Sequence, residues 1–378
     1  MKIPLCIPYV GKEELDLVAE VLNSGWLAHS PKSKQFERDF AAYVGTKHAS
    51  TMNSCTSALH LAIQASGLRG EIIVPSFTFS ASANAIVTAG CRPVFAEAEY
   101  GTCNIDPSKI EEKITGKTCA IMPVHFAGQS CRMDEIMEIA QKHSLTVIED
   151  SAETIGGEYA GRKTGSFGIG CFSFFPTKNM TTGEGGMLTT SDDSLMEKVN
   201  VLKAHGMSGS TYERKKKEKP WLRASIEAGY NFRMCDVLAA IGVVQLSKLD
   251  EMNGLRRRHA AYLNKELGGI DGLEIPEEAP KAKHVYQMYT VKMDTKRIDR
   301  TSFISKLREA EIGASVHFDP PVHLQPYYQS MGYKEGDFPV TERIAKSIVT
   351  LPMYPGLGKE ELDYLVSSVE AAAKSPGR

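Results

Sequence analysis

Between residues 45 and 150 the chain alternates helix-period and strand-period pieces, and this alternation constrains the fold more than anything else in the sequence. TSALHLAIQAS is apolar at helical spacing, EIIVPS is a β-branched run stopped at Pro75, and SASANAIVTAG is a helix closed by Gly90. RPVFAEAE and CAIMPVHF read as further strands, DEIMEIAQKHS as a helix, and LTVIED as a buried strand ending on two carboxylates. Strands separated by helices need crossover connections, so the segment predicts an α/β domain with a mainly parallel sheet covered on both faces. Upstream, KEELDLVAEVL places Leu15, Val18, Val21 and Leu22 on one helix face, and a second helix over Ser33–Tyr43 sets Phe36 and Phe40 four apart.

Beyond Asp150 the pattern changes. GCFSFF and GMLTTS read as strands joined by a short polar return. Helices follow over Cys235–Leu249 and, as a charged connector, Asn253–Leu267. From about Pro276 comes a smaller unit: strand HVYQMYTVKM, helix TSFISKLREAE, strand ASVHF, an irregular Pro- and Tyr-rich stretch, and a last helix from Lys359. The expected division is a large α/β domain over 1–250 and a small C-terminal α+β domain over 251–378.

Charge balance narrows the function. Lys and Arg number 44 against 46 Asp and Glu, a formal charge of −2, which supplies neither a phosphate-binding surface for nucleic acid nor a polybasic membrane signal. The run KKKEK within Glu213–Lys219 reads as a solvated loop. MKIPLCIPYVGKEEL has no apolar signal core, and the uncharged stretch Ile72–Cys91 carries Pro75, Asn84 and several hydroxyls, too polar for a membrane span. Eight cysteines are scattered from Cys6 to Cys235 without C-x-x-C or H-E-x-x-H spacing, so reduced thiols and no metal are expected. A soluble cytoplasmic enzyme is the expectation.

Nucleotide motifs fit poorly. No G-x-G-x-x-G follows a strand and no G-x-S-x-G occurs; Gly156–Lys163 has near-Walker spacing but Arg162 at the lysine position, and reads as a turn. A different set is ordered along the chain. Asp150 ends a buried strand, where ligands of open α/β sheets gather, and Lys178 follows 28 residues later in CFSFFPTKNMTTGEGGM. An Asp with an amine nucleophile is what pyridoxal phosphate (PLP) chemistry requires, the carboxylate keeping the pyridine nitrogen protonated. NSCTSALHLA offers a phosphate cup at a helix N-terminus with the hydroxyls of Thr56 and Ser57, and PSFTF offers Phe79 to cover a ring. Singly, each has a plainer reading: a strand-ending Asp as a turn residue, a loop Lys as solvated, Ser and Thr as N-caps.

NSCTSALHLA, VPSFTFSASANAI, PVHFAGQ, VIEDSAETIG, FSFFPTKNMTTGEGG, HGM and GYNFRMCDVLAAIGVVQL together resemble the DegT/DnrJ/EryC1/StrS aminotransferases, and the likeness runs from IPYVGKEEL to LPMYPGL. The resemblance implies a fold-type I PLP-dependent transferase, aspartate-aminotransferase-like, that moves an amino group from glutamate to a nucleotide-linked keto sugar by a ping-pong mechanism. It implies Lys178 as the cofactor-bearing lysine and proton shuttle, Asp150 as pyridine partner, Phe79 as ring cover, and Thr56, Ser57 and Ser173 on the phosphate. Asn231 would reach the phosphate of a neighbouring subunit, making a homodimer with shared sites. Glu153 would lie near the ring hydroxyl, as in perosamine-synthase-like members, and Gly183, Glu184, Gly185 and Gly186 fit the pattern of enzymes acting at C4, hence a 4-keto-6-deoxy sugar. Lys178 itself argues against the branch of dehydratases with His at this position. His317 and His323 are candidates for sugar or diphosphate contacts, or satisfied loop histidines. Cys55 stands where the family has a phosphate-turn Gly, a replacement disfavoured if φ is positive there; Phe175 replaces a frequent His, and Ser30 a frequent Gly near the expected substrate entrance. Two other readings use the same residues: an aminotransferase of a cyclitol or free keto sugar acid, and a non-catalytic PLP-binding regulator, for which a missing Lys or Asp would be expected.

Overall fold

Seven short strands pair through the first half of the chain in the order β1-β9-β8-β5-β4-β2-β3. They are β1 (His48–Met52), β2 (Glu71–Pro75), β3 (Arg92–Ala96), β4 (Thr118–Ile121), β5 (Thr146–Asp150), β8 (Ile169–Ser173) and β9 (Gly186–Thr190), with a small hairpin of β6 (Glu158–Tyr159) and β7 (Arg162–Lys163) between. The structure, a computed structural model, describes residues 1–207, 221 and 224–374; the charged run Glu213–Lys219 lies outside the described residues. Six strands are mutually parallel, and β9 runs against both neighbours, β1 and β8. The expected return is therefore present, and its loop carries Lys178.

Alternation along the strands builds two layers of core. Ile72 and Val74 point, with Met122 and Ile148, into a cluster under α3 (Cys55–Ala65), α4 (Ser80–Thr88) and α6 (Asp193–Leu202). Ile73, Ile121 and Val147 point the other way, onto Met133, Ile136 and Ala140 of α5 (Met133–His143). Phe36 and Phe40 of α2 (Pro31–Val44) pack with Phe172 and Phe174 in a third cluster. The sheet is thus covered on both faces, as expected.

Two expected helices are one. Helix α7 runs unbroken over Asp236–Leu267, 32 residues, with Leu249 and Met252 in the aromatic cluster and Ala260, Leu263 and Leu267 in the C-terminal core. Gly254 inside it costs helix propensity, which burial along both halves offsets. That C-terminal core lies beneath an antiparallel sheet of β10 (Leu273–Glu274), β11 (Tyr289–Met293) and β12 (Ile348–Leu351), with α8 (Arg300–Glu309) and α10 (Lys359–Ala373); α9 (Pro339–Ser347) leads into β12. Ile3, fully buried, belongs to this core and is bonded to Glu311 and Gly313. ASVHF is not a strand: only Ser315 bridges, to Thr350. On α1 (Lys12–Ser24), Leu15 and Leu22 are 68% and 54% exposed whereas Glu14 is buried. The neighbour is the polar part of α7, where Gln245 Nε2 and Lys248 Nζ donate to Glu14 at 2.8 and 3.0 Å, so a carboxylate faces inward instead of leucines. Among the described residues no helix is long and apolar enough to cross a membrane.

Candidate active site

The carboxyl ends of the parallel strands meet the C-terminal part of the chain at a cavity of about 430 Å³. Asp150, the last residue of β5, is 4% exposed at its wall. Ser82 of α4 donates to Oδ2 at 2.7 Å and the Ala152 amide to Oδ1 at 3.2 Å, while Cys55 Sγ lies 4.0 Å from Oδ1. Burial pushes the Asp150 carboxyl above its ordinary value, and the Ser82 and Ala152 hydrogen bonds work against that. Among the described residues no cation lies within ion-pair distance of Asp150, so its site suits a protonated ring nitrogen.

Lys178 enters from the loop after β8. Its Nζ lies 3.2 Å from Glu153 Oε1, and Glu153 Oε2 accepts the Ala127 N–H at 2.9 Å. Glu153 is thereby fixed between the lysine and the 126–128 loop. The start of α3 forms another wall: Ser54 caps it by accepting from the Ser57 N–H at 3.1 Å, and Cys55 and Thr56 line the cavity. Cys55 begins a right-handed helix and is not among the positive-φ residues, so a thiol replaces glycine there without backbone strain. The neighbouring closeness is met instead by Gly186, where a Cβ would fall 2.4 Å from the Ser54 carbonyl. Phe79, 62% exposed, Ser173 and Phe175 complete this side. Leu5, Cys6, Met288, His317, Phe318 and Met353 also line it, the Phe318 ring 6.2 Å from that of Phe79. His317 Nδ1 pairs with Thr350 Oγ1 at 2.8 Å, and burial depresses its protonation.

The cavity therefore gathers Thr56, Phe79, Asp150, Glu153, Ser173, Lys178 and His317, but not every candidate. Ser57 is buried beside the wall with its amide committed to Ser54. Asn231 is exposed, away from this cavity, its Oδ1 accepting from Arg233 Nε at 3.1 Å. His323 is fully buried elsewhere, with Nδ1 2.5 Å from Ser76 Oγ and Nε2 3.2 Å from Glu342; it has the geometry of a satisfied core histidine. Ser30 is the buried N-cap of α2, its amide bonded to Asp236. Cys6 and Gln287 were not singled out from the sequence, and neither sits in a pattern that marks a site.

A sequence model of the DegT/DnrJ/EryC1/StrS aminotransferase family matches residues 8–370. The chain belongs to this family. Within it, the aminotransferase is 43% identical to the spore coat polysaccharide biosynthesis protein SpsC of Bacillus subtilis, over 98% of this chain and 97% of that one. It is 36% identical to the GDP-perosamine synthase of Caulobacter vibrioides, over 98% of each. Its fold superposes on the PLP form of Spr1654 from Streptococcus pneumoniae with a TM-score of 0.91, at 26% identity and 99% coverage of both chains. The enzyme is a PLP-dependent aminotransferase of fold-type I architecture, and the buried carboxylate, loop lysine and capped helix of the cavity fit that cofactor.

Proposed function

We propose that this aminotransferase transfers the amino group of glutamate to a nucleotide-linked keto sugar, a 4-keto-6-deoxy sugar, in a ping-pong cycle. The observation that carries the reading is the convergence of Asp150, Glu153 and Lys178 in one cavity, with Lys178 Nζ 3.2 Å from Glu153. PLP, when bound, supplies the electron sink that lets the Cα–H bond of the donor break. Lys178 holds and moves the proton, and Asp150 orients the ring nitrogen. Thr56, Ser57 and Ser173 with the α3 N-terminus receive the phosphate. Phe79 covers the ring, and the apolar residues of the lining keep water from the transferred proton. Asn231 of the partner subunit completes the phosphate site in a homodimer. The likeness to a GDP-perosamine synthase, together with Glu153 and the Gly183–Gly186 segment, supports a sugar acceptor aminated at C4.

The test measures 2-oxoglutarate formed from glutamate with UDP-, GDP- and dTDP-linked 4-keto-6-deoxy sugars side by side. One of them is expected to turn over. Amination of only a cyclitol or a free keto sugar acid would overturn the sugar-nucleotide reading. In the same assay Asp150→Asn, which keeps shape but removes the charge, is expected to lower kcat by roughly 10²–10³-fold, the scale of losing one preorganised electrostatic partner. An unchanged kcat would remove Asp150 from its role.

A further inference from the structure

We infer that Gln287 Oε1 accepts a hydrogen bond from a hydroxyl of the sugar substrate and is the group by which the cavity separates its two substrates. The inference rests on the sugar-nucleotide reading above. Gln287 lines the cavity and is 4% exposed. Its Nε2 donates to the Thr177 carbonyl at 2.8 Å, one residue before Lys178. A carbonyl neighbour can be faced only by the NH₂ end of an amide, so this bond also decides which way the side chain is turned. Oε1 is then a buried acceptor with no hydrogen-bond partner, the one such atom among the described residues that line the cavity, and a hydroxyl meets it once the cover over it shifts. Buried polar atoms are normally paired, and an unpaired one in a ligand cavity marks where a ligand donor belongs.

The residue is also held in place before any ligand arrives. The Val285 N–H donates to Gly128 O at 2.9 Å and the Met288 N–H to Ala127 O at 3.2 Å. This approach needs glycine at 128, where φ is +106° and a Cβ would fall 2.8 Å from the Gln287 nitrogen. The same loop fixes Glu153 through the Ala127 amide. Gln287 and the lysine's carboxylate partner are thus mounted on a single short segment.

Hydrogen-bond chemistry then assigns the ligand. Glutamate carries two carboxylates, which only accept, and its one donor, the amine, is the group transferred at Lys178. A lone carbonyl oxygen offers a dicarboxylate nothing. Sugar hydroxyls donate, and one that reaches Oε1 satisfies both groups. A site built to bond a hydroxyl discriminates against a substrate without one, because its own polar atom is left unpaired.

The test uses the PLP holoenzyme and follows the two half-reactions separately, by bleaching of the cofactor colour with glutamate and its return with the nucleotide-linked keto sugar that the wild type accepts. Gln287→Met keeps length and loses the acceptor; the ratio of sugar to glutamate half-reaction efficiency is expected to fall about tenfold, the effect of one hydrogen bond. Gln287→His, which restores a ring nitrogen able to accept, is expected to recover part of the ratio. A deoxy analogue of the sugar should cost the wild type the same factor and cost Gln287→Met nothing further, as coupled groups do. An unchanged ratio, or an equal loss in both half-reactions, overturns the assignment. If the wild type bleaches with glutamate and no nucleotide-linked keto sugar restores the colour, the substrate reading itself falls, and the assignment with it.

Discussion

Lys178→Ala is expected to give a folded protein in which glutamate no longer bleaches added PLP and transamination falls by at least about 10³-fold. The size follows from removing the group that holds and moves the proton, since general acid–base catalysis alone contributes ~10²–10⁴-fold. No other amine stands ready in the cavity: Lys178 is the only Lys or Arg among the described residues lining it. Glu153 keeps its Ala127 hydrogen bond, so its position does not depend on the lysine alone. Lys178→Arg separates charge from chemistry. A guanidinium still faces Glu153 but stays protonated and cannot act as a base, so activity should remain as low as in the Ala variant. A wild-type protein that is colourless and indifferent to PLP would falsify the whole scheme; an active Lys178→Arg enzyme would leave the lysine a purely electrostatic part.

The second large effect concerns stability. Lys203, at the end of α6, is buried with its Nζ 3.0 Å from Glu37 Oε1, 2.6 Å from Ser50 Oγ and 3.3 Å from the Thr51 carbonyl. Glu37 Oε1 also accepts the Thr51 N–H and hydroxyl, both at 2.9 Å. Burial pushes the Glu37 carboxyl up, but Lys203, His29 at 3.2 Å and Lys34 at 3.7 Å together outweigh it and hold Glu37 well below the ordinary carboxylate range. Lys203→Met takes away the buried cation closest to that carboxylate and leaves it only His29 and the half-exposed Lys34, a loss on the scale of the about 3–5 kcal/mol that a buried pair costs when one member goes. Lys203→Met with Glu37→Gln leaves no orphan charge and should recover most of the loss, since the amide oxygen can still accept from Thr51. The check is the urea midpoint of wild type, single and double variants; equal midpoints for the two variants would contradict the account. Because the folded-state value of Glu37 is depressed, its contribution is full above the unfolded carboxylate value and disappears as pH drops through the folded one, so wild type and Lys203→Met should converge in acid. The consequence reaches Asn231, for Ala204 bridges to it and the Phe232 N–H donates to Lys203 O at 3.0 Å.

What was readable in the sequence was whatever local spacing dictates. The alternation from residue 45 to 150 is fixed by apolar period, and Asp150 and Lys178 fall together because one ends β5 and the other follows β8, strands that pair as parallel neighbours. What was hidden depends on the partner met in space. Leu15 and Leu22 make as good an apolar face as any, yet α1 turns Glu14 inward because Gln245 and Lys248 lie opposite. His323 resembles a loop histidine until Ser76 and Glu342 occupy both nitrogens. ASVHF has strand composition but lacks a neighbour beyond Thr350. Gln287 belongs to a run read only as a strand, and its role depends on Thr177, 110 positions away.

Ile3 sets a clock on the birth of this molecule. Its N–H donates to Glu311 O and its carbonyl accepts from Gly313, partners that leave the ribosome some 300 residues after it. At roughly 5–20 residues per second of synthesis, that interval is on the order of 15–60 s. For that time the residues around Ile3 are chain without a seat, while the sheet from β1 to β9 gains all its strands. The segment around Ile3 is therefore among the last to be stowed, and a nascent enzyme arrested before residue 311 keeps that segment within reach of chaperones and proteases.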